Sequence, residues 1–366
     1  MSLRLVLLEE IPEDEHLHRE WNALVRQMER PEVFYTYEWA RAVQSSYHRI
    51  LKPWLFLAYE NDSLAGIVSL GSNVGNGTVA FLAANTADYC DFISAPASRA
   101  EFVDLVFAEL AKRQIGNLML ANLPVDSETP KAIQVAAAKQ GLYAFQRPAY
   151  SCTQVILGVG EEREKLKASL QKKLNRRLRG LERRGTPKYM HLQSWASIQP
   201  ALQNFFDAHA ARFQATGRVS SLATAERRNF LEDMVRRFSD SGTVTLSILM
   251  VNDQTIAWNY GFQFGGSWFW YQPTFDGRWE EHSPGYCLLA RIVIEACENK
   301  EMKVVDLGLG DEAYKDRFGN GVRETLHVAV TKSRLKHLGE IARYKVASSL
   351  KQSPKIERTI RRFIGR

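Results

Sequence analysis

Residues 244–275, VTLSILMVNDQTIAWNYGFQFGGSWFWYQPTF, read as three antiparallel strands joined by two tight turns. In 255–264 the side chains of Ile256, Trp258, Tyr260, Phe262 and Phe264 recur every second position, which gives a strand one apolar face. Asn252-Asp253 and Gly265-Gly266 are residue pairs that tolerate the positive φ of a two-residue hairpin turn. A loop follows, then an apolar helix over 284–299 and a strand over 303–308.

The same order occurs earlier in the chain. Residues 54–60 and 64–71 predict strands around an Asn61-Asp62 turn, and Gly75-Asn76-Gly77 leads into a third strand at 78–82. Residues 98–113 carry helical spacing at Phe102, Leu105, Val106 and Leu110, and 117–123 (NLMLANL) close the series as a strand. Strand–strand–strand–helix–strand therefore occurs twice, as a repeat on the scale of a domain. A length of 366 residues suits two such units. Helices are expected at 13–28, 163–184, 197–213 and 224–238. The domain boundary is expected within 148–164, dividing the chain into 1–155, 156–331 and a tail, 332–366.

Charge divides the chain differently. Residues 165–188 hold ten Lys/Arg against Glu182, and 332–366 hold eleven against Glu340 and Glu357. Two segments of +9 in a chain of +7 leave −11 for the rest, so the body is acidic and the appendages are cationic. That excludes nucleic-acid binding by overall charge and leaves room for a local anionic partner. No span approaches 18 consecutive apolar residues, so no membrane-spanning helix is expected. Met1 to Glu15 is too acidic for a signal peptide. Cys90, Cys152, Cys287 and Cys297 form no CxxC pair, so no zinc site is expected and a reducing cytoplasm fits.

The stretch His282-Ser283-Pro284-Gly285 opens the apolar helix. Ser283 suits the N-cap, Pro284 the first helical position, and Gly285 admits a ligand to the backbone. With no acid in the first turn, the helix end favours an anion such as a pyrophosphate. An ordinary well-capped helix fits the same residues. The matching point of the first block, Ala95-Pro96-Ala97-Ser98, lacks the glycine, so one phosphate site is expected rather than two.

Several spaced residues extend this pattern: Tyr271, Asp276, Ser283-Pro284-Gly285, Asp306-x-Gly308-x-Gly310 and Tyr314-Lys315-x-x-Phe318. Upstream stand Glu38-Trp39, Asp88-Tyr89-x-Asp91, and His209-x-x-Arg212 with Gly217. Over roughly residues 20–330 the chain resembles the CelD/BcsL-type acetyltransferases. These are part of the GNAT-like superfamily that also contains Fem-type peptidoglycan aminoacyltransferases. The resemblance implies an α+β fold of two tandem GNAT-like domains. Each would be a mixed, mostly antiparallel sheet flanked by helices, with a basic helical C-terminal tail beyond. It implies an N-acyltransferase, most simply an N-acetyltransferase. The co-substrate would be acetyl-CoA or another acyl-CoA, with no resident cofactor or metal. The acceptor would be an amino group of an amino sugar in an envelope or exopolysaccharide precursor, including a lipid-linked glycan. Two alternatives stay open: tRNA-dependent aminoacyl transfer, and a non-catalytic effector that binds an anionic nucleotide.

Amine acylation needs a base, a polarised carbonyl and a proton for the leaving thiolate. Lys315, which follows a Gly-rich turn, is the expected electrophile. In Fem-type relatives a lysine near this position is associated with oxyanion charge. Tyr314 and Tyr271 are candidate proton donors, or core aromatics. Asp91 is the candidate base, with Asp88 and Asp311 next in line. Ser283, Pro284 and Gly285 are the expected cofactor contacts, and Tyr89, Arg212 and Asp311 the expected substrate contacts. His209 reads equally well as a structural histidine. Trp258, Trp268, Trp270 and Tyr260 read as core or as a sugar-stacking face. The helix at 163–184 combines a leucine stripe with a cationic face suited to tRNA or simply to solvent. The tail is read as two amphipathic helices broken at Pro354, the last carrying Ile356, Ile360, Phe363 and Ile364. It suits an anionic membrane surface, an anionic nucleotide, or the acidic body. The expected location is cytoplasmic, or peripheral on the inner face of the cytoplasmic membrane.

Overall fold

The structure, a computed structural model, describes residues 3–239, 241–310 and 312–351. The chain opens with β1 (Arg4–Leu8), α1 (Glu15–Arg26) and α2 (Tyr37–Tyr47). The first series follows: β2 (Leu51–Glu60), β3 (Ser63–Asn73), β4 (Val79–Phe81), a short β5 (Ile93–Ser94), α3 (Pro96–Lys112) and β6 (Asn117–Pro124). Next come α4 (Thr129–Lys139) and β7 (Tyr143–Ile156). The second half repeats this plan. It has α5 (Glu161–Glu182), β8 (Pro187–Leu192), α6 (Trp195–Ala215), α7 (Ala225–Phe238), β9 (Val244–Val251), β10 (Gln254–Phe264) and β11 (Ser267–Phe275). It closes with α8 (Pro284–Glu298), β12 (Val304–Asp306), β13 (Gly321–Thr331) and α9 (Arg334–Lys351).

Both strand–strand–strand–helix–strand series are present as expected. The strands not anticipated are those that lack clean alternation. β7, whose 14 residues overlap the expected domain boundary, and β13 both lie in the middle of the sheet. The sheet runs β1-β2-β3-β4-β6-β13-β7-β12-β11-β10-β9-β8 as one continuous surface. The halves exchange their last strands. β13, the end of the second half, pairs with β6, and β7, the end of the first, pairs with β12. β7 and β13 then pair with each other over most of their length. The exchange makes the two repeats one structural body.

Local chemistry explains the helix positions. Asp14 and Thr36 accept backbone N–H bonds at the starts of α1 and α2, and α1 buries Leu17, Trp21, Leu24 and Val25 along one stripe. Packed between α5 and the sheet, α8 buries ten of its fifteen residues. The leucine stripe of α5 faces inward through Leu170, Leu174 and Leu181. The tail begins as one helix, α9. Its expected break at Pro354 and the apolar residues after it lie outside the described residues, as does Asp311.

Candidate active site

In each half, two parallel strands run together briefly and then part. In the second half β11 and β12 pair only at Ser267↔Val304, Trp268↔Val305 and Phe269↔Asp306. Beyond that point a cleft of about 690 Å³ opens, lined by residues 270–273 of β11 and 307–309 after β12. A register shift against β10 adds one residue to β11 at Trp270–Tyr271. This bulge re-aims the strand where its pairing with β12 has ended. The first half parts at Val79↔Leu118 and Ala80↔Met119. There the chain fills its own gap. Leu82, Ala87, Tyr89, Cys90 and Phe92 are buried, and the Asn122 amide donates to the Ala87 carbonyl at 2.8 Å. The remaining cavity is about 40 Å³.

The open cleft gathers Asp88, Arg212, Tyr271, Tyr314 and Lys315, so four of the expected residues and one runner-up meet there. Their contacts differ from expectation. Lys315 is only 2% exposed. It donates to the carbonyls of Gly308, Leu309 and Gly310 at 3.2, 2.7 and 3.3 Å, and lies 2.9 Å from the Glu312 carboxylate. Its ammonium is thus engaged in holding the 308–310 loop, although Lys315 also lines the cleft. Tyr271 accepts from Arg227 at 2.7 Å and donates to the Thr86 carbonyl, so its hydroxyl is also engaged. Tyr314 is different. Its oxygen accepts from the Trp270 indole at 3.0 Å, which leaves its own proton free to donate. Burial, with Glu312 nearby, raises its pKa, so the phenol stays neutral and protonated.

Asp91 and Tyr89 lie elsewhere. The Asp91 carboxylate accepts the Phe92 N–H at 2.7 Å beside the small closed cavity of the first half, with Arg99, Ser127 and Thr129 around it. Tyr89 is fully buried and donates to Asp306 at 2.8 Å. Asp306 also accepts from Gln154 at 2.6 Å and from the Gly308 N–H at 2.8 Å. Tyr89 therefore latches the first half to the loop that walls the cleft. The aspartate that does enter the cleft, which Glu312 lines as well, is Asp88, three residues earlier in an irregular loop. Burial, reinforced by Asp306 and opposed by Lys315, pushes its pKa up to about 7. Gly308 makes this placement possible. At φ +70 a Cβ there would lie 2.7 Å from the Asp88 Oδ2.

His209 also lines this cleft, but its ring is held in place. Its ring stacks on Phe213 at 4.5 Å and bonds Ser220 at 2.8 Å, and burial pulls its pKa down to about 4. Trp258, Trp268, Trp270 and Tyr260 are all buried, although Trp270 shows one edge to the cleft. Arg212 stands where this cleft meets a second one of about 930 Å³. Its guanidinium lies 4.3 Å above the Phe275 ring, and no carboxylate pairs with it among the described residues.

At the start of α8, Ser283 occupies the N-cap in a left-handed conformation, and its side chain makes no capping bond. Its hydroxyl instead meets Arg177 of α5 at 3.3 Å, and that guanidinium lies 4.1 Å over the Tyr286 ring. The helix end thus keeps its first-turn N–H groups uncapped by a side chain, with no acid and one added cation. Arg177 and Arg227 were not anticipated. Neither differs in sequence from the surface cations around it.

Residues 168–316 match the family described as "Acetyltransferase (GNAT) domain". No curated protein matches the chain. Among solved structures, FemX is similar over 88% of this chain and 98% of its own, at 10% identity and a TM-score of 0.63. A conserved protein of unknown function from Bacteroides thetaiotaomicron covers 90% and 100% at 12% identity and a TM-score of 0.59. The C-terminal DUF2156 domain of an Agrobacterium fabrum protein covers 89% and 94% at 12% identity and a TM-score of 0.56. These likenesses show the fold over nearly the whole chain, and the family match falls on the half whose cleft is open. The fold is GNAT-like, and the acyltransferase domain lies in residues 168–316.

Proposed function

We propose that the chain transfers an acyl group, most simply acetyl, from acyl-CoA to the amino group of an amino sugar in an envelope or exopolysaccharide precursor. The observation that carries this reading is the open parting of β11 and β12, with Asp88 and Tyr314 in one cleft and the uncapped start of α8 in the same half. The pyrophosphate of the donor rests on the first turn of α8, at Ser283, Pro284 and Gly285, with Arg177 beside it. The thioester enters between the parted strands. Asp88 takes a proton from the acceptor ammonium, and the free amine attacks the thioester carbonyl. Backbone N–H groups on the unpaired edge of β11 meet the developing oxyanion. As the C–S bond breaks, Tyr314 gives its proton to the thiolate, and the second proton of the attacking nitrogen returns to the tyrosinate, leaving a neutral amide and a free thiol. Lys315 acts through the 308–310 loop and Tyr271 through packing, so both are positioning residues.

Arg212, half-buried without a carboxylate partner, supports an acceptor that carries an anion, either a sugar acid or a phosphate. The CelD/BcsL-type resemblance supports the glycan assignment. One observation favours tRNA-dependent transfer as a second reading. Lys172, Arg176, Arg179 and Arg183 are exposed on α5 at helical spacing, opposite its leucine stripe.

Thiol release from acetyl-CoA in the presence of glucosamine-type acceptors tests the first reading. Turnover that falls sharply in Asp88→Asn and Tyr314→Phe supports it. Absence of turnover together with low-salt retention of tRNA would transfer support to the second.

A further inference from the structure

We propose that the outward face of α9 is a docking surface for an anionic lipid bilayer. The helix sits on the sheet through one side only. His337 packs on Tyr143 at 5.5 Å between ring centroids, and Tyr344 on Phe145 at 5.9 Å. His337, Glu340, Ile341 and Tyr344 are half-buried, as the period of a helix lying on a surface requires.

The opposite side is apolar in the middle and cationic at its margins. Leu335, Leu338 and Val346 are 83%, 51% and 59% exposed, and with Ala342 they form a stripe at spacings of three and four. Lys336 and Arg343 flank the stripe on one side, Arg334 and Lys345 on the other, and all four are exposed. The only acid in the helix, Glu340, is turned toward the protein side and pairs with Arg343 at 3.1 Å. An exposed leucine stripe between two rows of cations matches a bilayer interface, where apolar side chains enter the acyl boundary and cations meet anionic headgroups. A second copy of the chain fits poorly, because packing stripe on stripe would bring cationic margins together. No helix of the described residues is long and apolar enough to cross a membrane, so the contact is interfacial. This surface is separate from the cleft and does not depend on the acyl-transfer reading.

Flotation of the full chain with vesicles tests the assignment. Phosphatidylcholine vesicles with and without phosphatidylglycerol are the probes, and thermal melts confirm that each variant folds. The wild-type chain should float with phosphatidylglycerol vesicles and not with phosphatidylcholine alone. Leu335→Ser/Leu338→Ser/Val346→Ser and Lys336→Glu/Arg343→Glu should each lower that partitioning at least about tenfold. Lys172→Glu/Arg176→Glu on α5 should leave it unchanged. The proposal is overturned if the wild-type chain does not float, or if only the α5 variant loses binding. It is equally overturned if the α9 stripe holds a dimer in the absence of vesicles that the serine variant dissolves.

Discussion

The two halves of this protein repeat one strand–strand–strand–helix–strand order, and they differ where two parallel strands part. In the first half the parting of β4 and β6 is filled by the chain between Leu82 and Phe92, leaving about 40 Å³. In the second half the parting of β11 and β12 stays open at about 690 Å³. The start of the following helix differs in parallel. Ala95-Pro96-Ala97 stands where Ser283-Pro284-Gly285 stands, and α5 brings Arg177 only to the second. One unit is filled where its strands part, and the other is open there. The filled unit also supplies the open one: Asp88 and Tyr89 belong to the plug of the first half, and they face the loop after β12. Neither unit completes the cleft alone.

This division of labour is open to direct attack. The largest effect is expected at Asp88. Asp88→Asn should reduce turnover by about 10²- to 10⁴-fold, the range for a lost general base. In the wild-type protein, kcat/KM should rise with pH through about 7, because only the carboxylate can take the proton and burial holds its pKa there. The same shift has a cost in stability. The folded state binds the Asp88 proton more tightly than an unfolded aspartate does. Stability therefore falls as pH rises from the ordinary carboxylate range toward about 7. Above about pH 7, Asp88→Asn should melt at a higher temperature than wild type while remaining inactive. A lower melting temperature there would show that the carboxylate is stabilised, not strained.

Tyr314→Phe should follow, with a loss of about tenfold or more in kcat and little change in donor affinity. The loss should shrink with thioesters of more acidic thiols, which leave without a proton. An equal loss with every leaving group would remove the acid role. Lys315→Met should destabilise the fold by about 1–3 kcal/mol in denaturant unfolding, because three loop carbonyls and Glu312 lose their donor. If Lys315 instead met the oxyanion, turnover would fall with stability unchanged. Tyr89→Phe, which cuts the latch on Asp306, should cost about 1–2 kcal/mol. Asp91→Asn, inside the closed half, should have the smallest effect on turnover of all.

The repeat was legible because the hairpins have strong period-2 patterns and turn pairs, and α8 has an unbroken apolar run. The exchange of β7 and β13 was not. Which strand lies beside which is set by long-range pairing, and β13 has charged residues, Arg323 and Glu324, near its start, so its alternation is confined to Leu326, Val328 and Val330. The site was legible in part. Tyr314 and Lys315 reach one cleft from the segment after β12, Tyr271 from the bulge of β11, and Arg212 from α6. What their side chains do there depends on neighbours far apart in sequence. Trp270 frees the Tyr314 proton, while Arg227 occupies Tyr271. The choice between Asp88 and Asp91 turned on the path of an irregular loop with no periodic signal. At Ser283 the expected cap exists by position, yet its left-handed backbone turns the hydroxyl to Arg177 and not to the helix.

The central claim is that the donor binds in the second half and nowhere else. Calorimetric titration of acetyl-CoA into three proteins tests it: wild type, Gly285→Asp, and Ala97→Asp at the matching position of the first half. A Cβ at residue 285 meets only Phe275, at 3.4 Å, so the acid enters the first turn of α8 without a clash and opposes a phosphate by charge. The account predicts binding in the wild-type and Ala97→Asp proteins and its loss in Gly285→Asp. Binding that survives Gly285→Asp, or that is lost in Ala97→Asp, would contradict it.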